Sequence, residues 1–117
     1  MQASRFRASV RVQEDKAILD LAGQLDGAAE TELDAAWSQA DRAGAVLLNF
    51  AAVDYINSTG IALIVSLLAK ARSRGRAVLS CGLMDHYREI FEITRLADFM
   101  TIFPDEQSAL ASPAAAG

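Results

Sequence analysis

The sequence is short of the features that would mark a secreted, membrane-bound or metal-dependent protein. Its single cysteine, Cys81, excludes an intrachain disulfide, a Cys-x-x-Cys redox pair and a thiolate zinc cluster, and this usage suits a reducing cytosol. The longest apolar run, Ile61 to Ala69, is broken by Ser66 and falls below half of the roughly 20 residues needed to cross a bilayer. The amino terminus carries Arg5, Arg7 and Arg11 but no apolar stretch of signal-peptide length. Neither export nor membrane insertion is therefore expected, and the cytoplasm is the expected compartment.

Positive charge is missing where a nucleic acid would need it. Net charge is -4, and Asp26, Glu30, Glu32, Asp34 and Asp41 follow one another with no lysine or arginine between them, a surface that phosphate backbones would repel. Catalytic apparatus is equally sparse. The sole histidine, His86, has Asp85 beside it, but there is no Gly-x-Ser-x-Gly elbow to complete a triad. His86 is expected at the surface or in a helix cap, and no enzyme activity, catalytic residue, metal or cofactor is expected.

What is present suits one compact domain. A chain of 117 residues, 52% of them hydrophobic, can bury roughly two-thirds of the surface its unfolded form exposes. Phe6, Ala8, Val10 and Val12 alternate with polar residues, Glu14-Asp15-Lys16 reads as a turn, and Ile18 to Ala22 returns, which predicts an antiparallel hairpin. From Ala28 to Ala43, apolar residues at helical spacing predict an amphipathic helix with Asp26 as N-cap and Gly44 after its end. Trp37 belongs to its inner stripe.

Ala45 to Phe50 and Ala77 to Cys81 read as buried strands, with Cys81 a small core residue. Between them, Thr59 to Arg74 is too long for a strand and closes on Lys70, Arg72, Arg74 and Gly75, the signature of a helix C-terminus. This helix is apolar on nearly every side, so it is expected to be largely covered. A helix after Asp85, a short strand at Met100 to Phe103 and one or two turns over Asp105 to Leu110 complete a β-β-α-β-α-β-α-β-α order. That order predicts a mixed α/β sheet of about five strands, with an N-terminal antiparallel hairpin, a parallel interior and about four helices.

The most informative stretch is Asn57-Ser58-Thr59-Gly60, where polar residues and a glycine open the apolar helix. Asn57 or Ser58 can serve as N-cap, which needs no further function. The same turn also offers two adjacent hydroxyls where amide groups and the helix dipole tolerate negative charge.

The run Asp54-Tyr55-Ile56-Asn57-Ser58-Thr59-Gly60-Ile61 resembles the signature of STAS domains, specifically the small bacterial anti-sigma factor antagonists. In these a strand delivers Asp-Ser-Ser-Gly or Asp-Ser-Thr-Gly to an apolar helix. Gly23-Gln24-Leu25-Asp26, Val46-Leu47-Leu48-Asn49-Phe50 and Ile90 to Leu96 are similar to further parts of the family pattern. The resemblance implies a STAS domain over residues 1–110 with a disordered tail over 111–117, acting as a monomer or weak dimer. It implies phosphorylation at Ser58 and a partner-binding surface of Asp26, Asn57, Ser58, Thr59, Gly60 and Ile61. The implied partners are an anti-sigma factor that is also a serine kinase, and a serine phosphatase. Asn57 departs from the aspartate usual in phosphorylated members. It fits slightly better an accessory subunit of a lipid-transport ATPase complex, which needs no phosphorylation; another STAS scaffold subunit is a further alternative.

Overall fold

The computed structural model describes residues 5–40 and 43–112. Among them the chain forms strands β1 (Arg7–Gln13), β2 (Lys16–Leu25), β3 (Ala45–Ile56), β4 (Ala77–Cys81) and β5 (Thr101–Phe103). Its helices are α1 (Glu30–Gln39), α2 (Ser58–Ser73), α3 (Asp85–Ile93) and α4 (Glu106–Ala111). The expected order of elements is the observed one.

The hairpin closes through Glu14 and Asp15 alone, because Lys16 already pairs with Gln13. Glu14 takes the left-handed conformation, with φ 57°, which matches the twist of a two-residue hairpin. Val12 departs from the expected alternation: at the outer end of this edge strand it is 70% exposed.

β1 pairs antiparallel with β2, and the remaining neighbours pair parallel in the sequential order β1-β2-β3-β4-β5. Right-handed crossovers that always step the same way place their helices on one face of the sheet. The large core accordingly lies on that face. Leu33 and Trp37 of α1, Ile64 and Leu67 of α2 and Phe91 of α3 pack there with Leu19, Leu48 and Phe50 of the sheet. The opposite face carries a small cluster in which Ala109 of α4 covers Ile18, Leu47, Leu79 and Cys81. Successive residues of β3 thus point into different clusters, which is why Val46, Leu47 and Leu48 can all be apolar.

Two boundaries differ from expectation. β3 continues six residues past Phe50 to Ile56, held by parallel pairing with β2 out to Leu25 and Ile56. α1 is shorter than expected, starting after a 3₁₀ turn over Gly27–Ala29 and ending at Gln39. Asp41 lies outside the described residues, and Gly44, instead of following a helix end, donates its N–H to the Asp15 carbonyl at 3.1 Å. The Arg76 guanidinium closes α1 by donating to the Ala40 and Ala43 carbonyls while lying over the Trp37 ring. Of the expected tail, Ala111 still belongs to α4, and residues 113–117 lie outside the described residues.

α4 is tied to the hairpin by charge. Arg11 donates twice to Asp20, at 2.6 and 2.9 Å, and twice to Glu106, at 3.2 and 2.6 Å. Asn49 also donates to Asp20 at 2.9 Å. The Arg11 guanidinium holds the Asp20 carboxyl below its ordinary pKa. Because folding lowers this pKa, Asp20 contributes stability above about pH 4, the unfolded value. That contribution is lost as pH falls through the lower folded value. Urea midpoints measured between about pH 5 and pH 2 are expected to fall less steeply for Asp20→Asn than for wild type. Parallel curves would show that the network is too solvent-screened to matter.

Candidate functional site

The ends of β2 and β3, Leu25 and Ile56, lie together at the carboxyl edge of the parallel sheet, where crossover proteins present their loops, whereas β4 stops at Cys81 opposite Asn49. At β3 the chain turns directly from Ile56 into α2 through Asn57. The Asn57 backbone N–H donates to the Leu25 carbonyl at 3.2 Å, and its side-chain carbonyl accepts from the Gly60 N–H at 2.8 Å. Asn57 is therefore the N-cap, which decides between the two candidates.

Ser58 is the first helical residue. Its hydroxyl is exposed and makes no hydrogen bond among the described residues. Of the first four amide groups of the helix start, those of Asn57 and Gly60 are used. The amides of Ser58 and Thr59 have no partner among the described residues, as expected at a helix N-terminus.

A stability prediction follows from this division of labour. Asn57→Ala is expected to cost about 1 kcal/mol through loss of the cap, whereas Ser58→Ala stays within roughly 0.5 kcal/mol of wild type. Urea denaturation of the two variants checks it. A larger loss for Ser58→Ala would mean that the serine hydroxyl supports the helix after all.

Gly60 is buried, and the reason is a close approach. A Cβ there would stand 2.8 Å from the Leu25 carbonyl carbon and nearer still to its oxygen. The first turn of α2 thus lies directly on the end of β2, bringing the β2–α1 connection beside it. Asp26 caps the 3₁₀ turn by accepting from the Ala28 N–H at 3.0 Å. A Cβ on Gly27 would stand 3.3 Å from the Thr59 methyl. Asp26 and the Ser58 turn, 32 residues apart in sequence, are therefore neighbours. Ile61 is half-buried against the core.

Sequence reasoning missed the side chain that braces this edge and an exposed apolar residue in the β4–α3 loop. The Tyr87 hydroxyl accepts from the Ile56 N–H at 3.1 Å, bracing the end of β3 against the start of α3. Met84, in the β4–α3 loop, is 53% exposed. Neither carries a local signal, since Tyr87 reads as a core residue and Met84 as a loop position.

The other residues singled out are ordinary. His86 is exposed and makes no cap, although its ring meets Tyr87 edge-on at 5.1 Å. Burial pushes the Cys81 thiol up to about 11, so it stays protonated as a core residue. Among the described residues no group of three or more His, Cys, Asp or Glu could hold a metal ion, and no helix is long and apolar enough to cross a membrane.

At this edge a five-stranded sheet delivers an exposed serine to the first turn of a capped helix. Comparison with known proteins gives the chain's family. The pattern of the STAS domain matches residues 7–109, and the chain belongs to the STAS family. It is 34% identical over 86 residues to BtrV of Bordetella bronchiseptica, a candidate anti-sigma factor antagonist. That match covers 74% of this chain and 70% of the relative. An anti-sigma factor antagonist from Mycobacterium paratuberculosis shares the fold with a TM-score of 0.73 at 20% identity, over 91% of this chain and 92% of that one. The Bacillus cell-fate determinant SpoIIAA in its phosphorylated form does so with a TM-score of 0.67 at 19% identity, over 89% and 96%.

Proposed function

We propose that this protein is an anti-sigma factor antagonist that works by partner switching. In the unphosphorylated form, the Ser58 turn and the flanking Asp26 loop dock on an anti-sigma factor that is also a serine kinase, releasing the sigma factor. Transfer of a phosphoryl group to Ser58 ends the docking, and a serine phosphatase restores it. The relatives named as antagonists support this reading, as does the similarity in fold to a phosphorylated antagonist.

The observation that carries it is the separation of roles at the helix start. Asn57 holds the cap, so the Ser58 hydroxyl is exposed and unengaged. A phosphate there meets the open amides of Ser58 and Thr59 and the positive end of the α2 dipole, which the fold tolerates. The same group adds about two negative charges to the docking surface, where the partner must desolvate or oppose them. Thr59, the adjacent exposed residue with a hydroxyl, lies with its methyl toward Gly27. Gly60 and Ile61 serve the surface from beneath, by seating the turn.

The test is to incubate the protein with the anti-sigma serine kinases of its own organism and ATP, and to map phosphate by mass spectrometry. Phosphate on Ser58, with loss of the complex, is the expected result. Phosphate confined to another residue, or none with any kinase, overturns the switch. A constitutive STAS subunit would then be the better description.

A further inference from the structure

We propose a second docking site at the opposite end of α2, a groove that takes an acidic amphipathic helix of a partner protein. It does not depend on the Ser58 switch. The exposed residues Ser58, Ala62, Val65, Ala69 and Arg72 follow one another at spacings of four and three along one side of α2. At about 1.5 Å per residue, Ser58 and Arg72 are roughly 21 Å apart, far enough to bind separate elements.

At the Arg72 end, α2 and the 3₁₀ turn over Leu96–Asp98 enclose a groove of about 330 Å³. Leu68 and Leu96 form its floor, and Val65, Ala69 and Phe99 its walls. Val65 is 46% and Phe99 50% exposed, so large apolar side chains line a concavity that the described residues leave open. The expectation that α2 is covered on nearly every side fails here. Its covered side faces the sheet, and the sheet can take only one side of a helix.

The chemistry of the rim selects the occupant. The Arg72 guanidinium lies over the Phe99 ring, 5.2 Å from its centroid. Among the described residues it has no carboxylate partner, whereas nearby Arg95 is matched to Asp98 at 2.8 Å and Lys70 to Asp34 at 3.5 Å. A stacked guanidinium beside apolar walls suits a ligand carrying a carboxylate next to an apolar anchor.

The walls are side chains and present no free strand edge, so the occupant must satisfy its own backbone hydrogen bonds. A helix does so, with apolar residues at i, i+3 or i+4 in the groove and acids one turn away. Helix α1 of a second copy does not fit. The acidic helix α1 keeps its apolar stripe of Leu33, Ala36 and Trp37 inside, and its exposed side carries no large apolar residue.

A phage library of helical peptides selected against the full chain tests the proposal. Enriched peptides are expected to pair leucine-like anchors with glutamate or aspartate, and their NMR shift changes should centre on Val65, Leu96 and Phe99. For the synthetic peptide, Arg72→Glu and Phe99→Ala are each expected to weaken binding at least about tenfold, while Ser58→Asp leaves it unchanged. Arg72 is exposed, and circular dichroism verifies that its variant folds. Absence of enrichment, enrichment of basic sequences, or affinity indifferent to Arg72→Glu would each overturn the proposal.

Discussion

Ser58→Asp is expected to weaken binding to the anti-sigma partner by about 100-fold, equivalent to about 2.7 kcal/mol, while leaving the protein as stable as wild type or slightly more so. The two effects have opposite signs for one reason. An acid in the first turn of α2 interacts favourably with the helix dipole, worth roughly 0.5 kcal/mol, and takes nothing from the cap, which Asn57 supplies. In the docked complex the same charge must be desolvated or face the partner's own acids. Ser58→Ala, which removes only an unengaged hydroxyl, is expected to bind as the unphosphorylated protein does and to resist the kinase. Isothermal titration beside thermal unfolding separates binding from folding. Equal affinities for wild type, Ser58→Ala and Ser58→Asp would remove Ser58 from the switch.

Gly60→Ala is expected to lower stability by about 3 kcal/mol, the upper range for an overpacked site, and to abolish docking with it. Helix propensity alone predicts the reverse, since alanine inside a helix is favoured over glycine by about 1 kcal/mol. The sign therefore reports the tertiary contact. The new methyl group would run into the Leu25 carbonyl, and backbone cannot rotate away as a flexible side chain can. Relief requires lifting the first turn of α2 off β2, which also strains the Asn57–Leu25 hydrogen bond and moves Ser58 away from the Asp26 loop. The melting temperature should fall by roughly 10 to 20 °C. An unchanged or raised melting temperature would show that the contact is loose.

The elements were legible where the chain's pattern is local. Ala77–Cys81 is a strand with the expected bounds, because a short β-branched and apolar run between a glycine-ended helix and a glycine has no competing reading. The Ser58 turn was legible for a similar reason, since capping residues before an apolar run mark a helix start wherever they stand. The second half of β3 was not. Ala51, Ala52, Asp54 and Tyr55 are all exposed, so they show neither a buried run nor clean alternation, and only pairing with β2 makes them a strand.

The cap itself was not legible, because Asn57 and Ser58 are equally good candidates by residue type. Only the Gly60 N–H pointing at the Asn57 carbonyl assigns the role. The open groove at Arg72 was also hidden, since an all-round apolar helix reads as covered until the faces it meets are known.

By itself the sequence determined the order of elements, the strand-to-helix turn that presents Ser58, and the family pattern to which both belong. These follow from backbone preferences and hydrophobic period, which act over a few residues. The tertiary structure decided which residue caps, why position 60 must be glycine, and that Asp26 stands beside the turn. Each of those depends on how closely β2 approaches α2, a distance set by packing between segments more than thirty residues apart, and no local pattern encodes it.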